Sequence, residues 1–175
     1  REHFDDLRFS GEMVRPLYEQ AVRERNFEGI KRVRNETRIS VPEEVCQATY
    51  ESILGNFSDQ TIPQLMRLRQ ASGVSPVRTE NVVSHLVKVF SAVDLAPEAI
   101  DSLDGLFGIY PHKTNTAIFQ RAALDGCHLR AFAHLYERSE GKIAAIRLQD
   151  KYKEWDAERK FDEIVDFAEV EKFLD

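Results

Sequence analysis

The sequence predicts an all-α fold: a helix-turn-helix repeat solenoid of about four hairpins, closed by C-terminal capping helices. Three observations predict it. Apolar residues recur every 35 positions: Ile30, Leu65, Ile100 and Leu135 form one set, Val33, Leu68 and Leu103 a second, and Phe27, Ile62, Pro97 and Phe132 a third. A register at this period marks an array of hairpins, each burying its apolar side against its neighbours. Within each segment the apolar residues keep helical spacing, and no alternating run stands between turn signals. Ser, Thr, Asn, Pro and Gly then punctuate the chain at intervals of about one helix.

Residues 1–9 read as an irregular lead-in. Ser10 is the candidate N-cap of a first helix over 11–24, with Val14, Leu17, Tyr18, Ala21 and Val22 as its apolar stripe. Asn26 breaks that stripe and caps a second helix holding Phe27, Ile30 and Val33. In the second hairpin, Ser40, Val41, Pro42 and Glu43 read as a capping box with Pro in the first turn. The helix that follows carries Val45, Cys46, Thr49, Ile53 and Leu54 and stops near Gly55. Thr61 to Gln64 read as another capping box, opening a helix with Ile62, Leu65, Met66 and Leu68 that ends at Ser72 and Gly73.

The third hairpin starts at Ser75 and Pro76, with Val82, Val83, Leu86, Val87 and Phe90 as its first stripe. Pro97 suits the first turn of its partner helix, where Ile100, Leu103 and Leu106 lie, and Gly105 and Gly108 mark its end. The fourth hairpin uses Ala117, Ile118, Phe119, Ala122 and Ala123, stops at Gly126, and continues through Leu129, Phe132, Ala133, Leu135 and Tyr136. Residues 142–155 read as an amphipathic helix and 156–173 as a last helix; together they are the expected capping structure, since an array needs ends with a polar outer face. No linker rich in Gly, Ser or Pro divides the chain, so one domain is expected over 1–175, with repeats at about 12–140 and caps at about 142–175.

Composition narrows the function classes. Of 175 residues, 42% are hydrophobic and 31% charged, and the net charge is −6. An acidic chain is poorly suited to gripping phosphate backbones in general, because that affinity comes from Lys and Arg. The charge is uneven: residues 1–40 are near neutral and residues 142–175 are acidic. The two cysteines, Cys46 and Cys127, make neither a disulfide framework nor a zinc site, and both sit in apolar helical patterns as expected buried thiols. No apolar run reaches the ~20 residues of a membrane span.

No residue set points to catalysis, a cofactor or a metal. His128 and His134 are six apart and fall on different helix faces. Cys127 and His128 are adjacent, so on a helix they point about 100° apart and do not meet. Gly141 and Lys142 lack the rest of a phosphate loop. Two binding sets remain. Arg23, Arg25, Lys31, Arg32 and Arg34, with Arg38, are the candidate anionic contact, interleaved with Glu24, Glu28 and Glu36. Tyr110, His112, Tyr152 and Trp155 are candidate protein-contact anchors, at a loop and near the terminal helices.

The 35-residue hairpins resemble pentatricopeptide repeats over about 12–140. Tyr18, Tyr50, Leu86 and Phe119 sit at related points of the first helices, at spacings of 32, 36 and 33. The Trp/Gly/Tyr/Pro signature of tetratricopeptide repeats is absent. In size, charge and repeat layout the chain is similar to the family of eighteen-kilodalton accessory subunits of the mitochondrial F1-ATPase in euglenozoans. That resemblance implies a non-catalytic subunit of the matrix, without cofactor or membrane span, attached to the F1 head of ATP synthase through the alpha subunit. The chain begins at Arg1, which under this resemblance agrees with removal of a presequence. The alternative reading is a short organellar factor for single-stranded RNA. Such arrays read about one base per repeat through polar side chains, and no consistent polar pair recurs here.

Overall fold

The computed structural model describes residues 9–110 and 113–138. Among them are eight helices and no strand: α1 (Gly11–Arg23), α2 (Phe27–Thr37), α3 (Glu43–Gly55), α4 (Thr61–Ser72), α5 (Glu80–Ala92), α6 (Pro97–Phe107), α7 (Lys113–Asp125) and α8 (Leu129–Arg138). The chain forms two compact units, Arg1–Val77 and Arg78–Asp175. In the first, α1 pairs with α2 and α3 with α4, while α1 stacks on α3 and α2 on α4. In the second, α7 pairs with α8, α5 stacks on α7 and α6 on α8. First helices on first and second on second is the packing of a helical-hairpin repeat, and it is why the apolar register recurs.

The core of the first unit repeats almost residue for residue. Helices α1 and α3 each have 13 residues. Val14, Tyr18, Ala21 and Val22 of α1 and Cys46, Tyr50, Ile53 and Leu54 of α3, all 32 positions on, are all buried. Ile30, Leu65, Ile100 and Leu135, the 35-residue set, are fully buried. Each such side chain contributes about 1.5–3 kcal/mol by leaving water. In the fourth hairpin the register slips. Helix α8 starts at Leu129, so Phe132 takes the place along its helix that Ile30 has in α2, and Leu135 lies one turn further on.

A hydroxyl-braced corner follows the second helix of each of three hairpins. At the same 35-residue spacing, Arg38 (φ 57°), Gly73 (φ 73°) and Gly108 (φ 64°) adopt the left-handed conformation that ends a helix. The next carbonyl then accepts a hydroxyl: Tyr18 donates to Ile39 O at 2.6 Å, Tyr50 to Val74 O at 2.7 Å, and Thr116 to Ile109 O at 3.0 Å. The first two corners also share an inner clasp. Thr37 Oγ1 donates to Val33 O and accepts from Ile39 N; Ser72 Oγ does the same with Leu68 O and Val74 N. The third hairpin carries Leu86 where the first two carry Tyr, and Thr116 of α7 supplies its hydroxyl instead.

Helix ends follow local chemistry. Ser10 Oγ accepts from Met13 N, Asn26 Oδ1 from Gly29 N, and Thr79 Oγ1 from Val82 N. The turns after α1 and α7 are matched Schellman motifs with Arg25 and Cys127 left-handed. Asn26 N donates to Ala21 O and His128 N to Ala123 O, while Arg25 N donates to Val22 O and Cys127 N to Leu124 O. Gly126 is required in the second of these, because a Cβ would run into the Ser91 carbonyl and the His128 ring.

Several local expectations are corrected. Neither capping box forms. Val41 precedes Pro42, which disfavours the helical region for it, so α3 starts at Glu43 and Val41 is buried instead. Gln64 N donates to Gln60 O, so α4 starts a residue early and the Thr61 hydroxyl accepts from Ser58 N. Gly105 lies inside α6, and Gly108 alone caps it. Cys127 is half-buried in its turn, while Cys46 is fully buried in α3. Leu17 and Ile118 are exposed. The expected capping helices at 142–175 lie outside the described residues.

Candidate interaction surfaces

The basic set falls on the first unit and is partly committed to the fold. Arg25 donates from Nη1 to Gln64 Oε1 at 3.0 Å, tying the first hairpin turn to α4. Arg32 pairs with Glu36 one turn on at 2.8 Å. Arg34 is half-buried, and its Nη1 lies 2.8 Å from where a Cβ on Gly73 would stand. Arg23, in the last turn of α1, and Lys31 on α2 are exposed without a partner among the described residues. Arg38 is exposed in its left-handed turn. The five candidates thus make no single guanidinium cluster: Arg23 and Lys31 point to solvent, Arg25 and Arg32 hold protein partners, and Arg34 lies half-buried beside Gly73.

Of the expected protein-contact anchors, Tyr110 is described; His112, Tyr152 and Trp155 lie outside the described residues. Tyr110 is half-buried and fastened to both second helices of its unit. Its N–H donates to Asp104 Oδ1 at 3.0 Å, its hydroxyl reaches Asp101 Oδ1 at 3.5 Å, and the Arg138 guanidinium lies 5.8 Å from its ring centroid. Burial, with Asp101 and Asp104 nearby, pushes its phenol well above the ordinary value.

Asp101 is the hub of that region. His134 Nε2 lies 2.9 Å from its Oδ1, and Arg138 Nη2 lies 3.1 Å from its Oδ2. The His134 hydrogen bond, helped by Arg138, holds the carboxyl below its usual range against a smaller effect of burial. An imidazole bonded to a carboxylate is two-thirds of a catalytic triad. Here the imidazole has Asp101 as its partner, and no nucleophile is bonded to it among the described residues. The arrangement fastens α8 to α6. Asp94 does similar work: it pairs with Arg130 at 3.6 Å and accepts from Ala131 N at 3.2 Å, capping α8 from outside the helix.

The remaining reactive groups are few. The Cys46 thiol is pushed up by burial, which makes it inert. Cys127 and His128 share a turn and not a helix, so the helical 100° rule does not describe them; the His128 amide closes the turn. Arg78 donates from Nη1 to Gly108 O at 2.5 Å and lies 5.6 Å from the Phe119 ring centroid. Its Nε and Nη2 are buried without partners among the described residues, and desolvation lowers its pKa. Among the described residues no group of three or more His, Cys, Asp or Glu could hold a metal, and no helix is long and apolar enough to cross a membrane.

The surface that sequence reasoning missed is the outer side of α1. Met13 and Leu17 are 62% and 50% exposed and lie one turn apart, with Phe9 at 46% just before the helix. They flank the buried Val14 and Ala21 along the helix, so the apolar strip of α1 is wider than its buried face. The i, i+4, i+8 spacing of 9, 13 and 17 was the available signal, and Leu17 lies at the open margin of the expected stripe and not inside it.

Compared with known proteins, the chain matches no family model, no curated protein and no solved structure.

Proposed function

We propose that this chain is a non-catalytic accessory or structural subunit that docks on a larger mitochondrial assembly. The assembly is the F1 head of ATP synthase, met through its alpha subunit, in the matrix. The docking role rests on one observation: hairpins stack first on first and second on second, an architecture that presents surfaces rather than encloses a pocket. The polar side chains that most resemble chemical groups, Asp101, His134 and Arg138, join helices to each other. The choice of F1 rests on the resemblance in size, acidity and repeat layout to the euglenozoan accessory-subunit family.

The test is reconstitution. The purified chain is mixed with F1 from euglenozoan mitochondria and run on gel filtration, and in parallel titrated with a fluorescent single-stranded RNA. Co-elution with the alpha subunit at fixed stoichiometry supports the proposal. Failure to co-elute, with RNA binding that falls steeply as salt rises, replaces it with the RNA-binding alternative.

A further inference from the structure

The repeat relation between α1 and α3 gives the exposed side of α1 a meaning. At the 32-residue offset that matches the buried cores, Phe9 corresponds to Val41, Glu12 to Glu44, Met13 to Val45 and Leu17 to Thr49. On α3 this side is covered. Val41 is 2% exposed, Val45 and Thr49 are half-buried, and α1 packs along the helix. Glu44 there meets Arg15 of α1 at 3.0 Å. On α1 the corresponding apolar residues are open, and Glu12, the counterpart of Glu44, has no partner among the described residues. The face thus has the apolar strip and the carboxylate with which the fold itself receives a helix.

We infer that the outer side of α1 is a docking site for an amphipathic α-helix of another protein, which lays apolar side chains over Phe9, Met13 and Leu17 and sets an Arg or Lys against Glu12. The occupant's chemistry follows from α1 itself, which fills the matching place on α3 and brings Arg15 to Glu44. Helix-on-groove recognition of this kind uses anchors one turn apart, as Met13 and Leu17 are. The inference does not depend on which assembly the chain joins.

The probe is a fluorescent peptide of residues 10–25, held helical by a hydrocarbon staple replacing Pro16 and Gln20, which lie opposite Tyr18 on the helix. Anisotropy is measured against the full chain. Saturable binding is expected, weakened at least about tenfold by Met13→Asp with Leu17→Asp. Glu12→Arg should weaken it too, and a peptide carrying Arg15→Glu should restore it. All three substituted residues are exposed, so the variants should keep the wild-type circular dichroism. Absence of saturable binding, or equal binding by all variants, would overturn the inference. So would light scattering that shows a wild-type dimer converted to monomer by Met13→Asp with Leu17→Asp, which would assign the face to a second copy of the chain.

Discussion

Tyr50→Phe isolates the corner that repeats along this chain. The substitution keeps the ring and removes the hydroxyl that donates to Val74 O at 2.7 Å. A buried acceptor left without a donor costs about 1–3 kcal/mol. Val74 is half-buried, so water can reach part of that carbonyl and the lower half of the range applies, about 1–2 kcal/mol. For a chain of this length that lowers Tm by about 2–8 °C. Tyr18→Phe, which removes the bond to Ile39 O at 2.6 Å, should agree with it to within about 0.5 kcal/mol, because the surroundings match. Thr37 and Arg34 stand beside the Tyr18 phenol, and Ser72 and Arg69, each 35 residues on, beside that of Tyr50. Urea unfolding followed by circular dichroism reads both variants. A cost below about 0.5 kcal/mol for Tyr50→Phe, the level of an ordinary surface change, would refute the bracing role. A large cost for one Tyr with none for the other would refute the repeat.

Other outcomes follow from the same structure. Gly73→Ala and Gly108→Ala place a Cβ at φ 73° and 64° and should each destabilise by about 1 kcal/mol, read as a shift in the urea midpoint. Gly126→Ala should cost more, about 1–3 kcal/mol, because backbone and ring atoms and not a flexible chain end block the new Cβ. Asp101 has a folded pKa depressed below its unfolded value, so its stabilisation is present above the unfolded pKa and lost as pH falls through the folded one. The Tm gap between wild type and Asp101→Asn should therefore be open above about pH 4 and close as pH falls through the depressed folded value; a gap independent of pH would contradict the assignment.

Helix existence was legible because punctuation and period agreed. Ser10, Asn26, Pro97 and Gly126 act where the sequence places them. The capping boxes at 40–43 and 61–64 were misread because helix starts are decided by backbone partners: Pro42 displaces one, and the Gln60 carbonyl fixes the other. The corner hydroxyls were beyond a local reading. Tyr18 and Tyr50 could be aligned with each other, but their acceptors lie 21 and 24 residues away and meet them only after the hairpins close. The contacts around Asp101 and Asp94 were hidden for the same reason, although their partners at 33 and 36 residues stand about one repeat apart. Opposite charges at that separation were a usable signal. The open margin of α1 was lost to width: its apolar residues form a strip broader than the face that packs, and spacing alone does not say which edge finds a neighbour.

The most direct test of the accessory-subunit account is a native pull-down of the tagged chain from euglenozoan mitochondria, analysed by mass spectrometry with and without ribonuclease. Recovery of F1 alpha and beta subunits at a fixed ratio, unchanged by ribonuclease, is the predicted result. Recovery of ribosomal or RNA-processing proteins that vanish on ribonuclease treatment, with F1 absent, would contradict it.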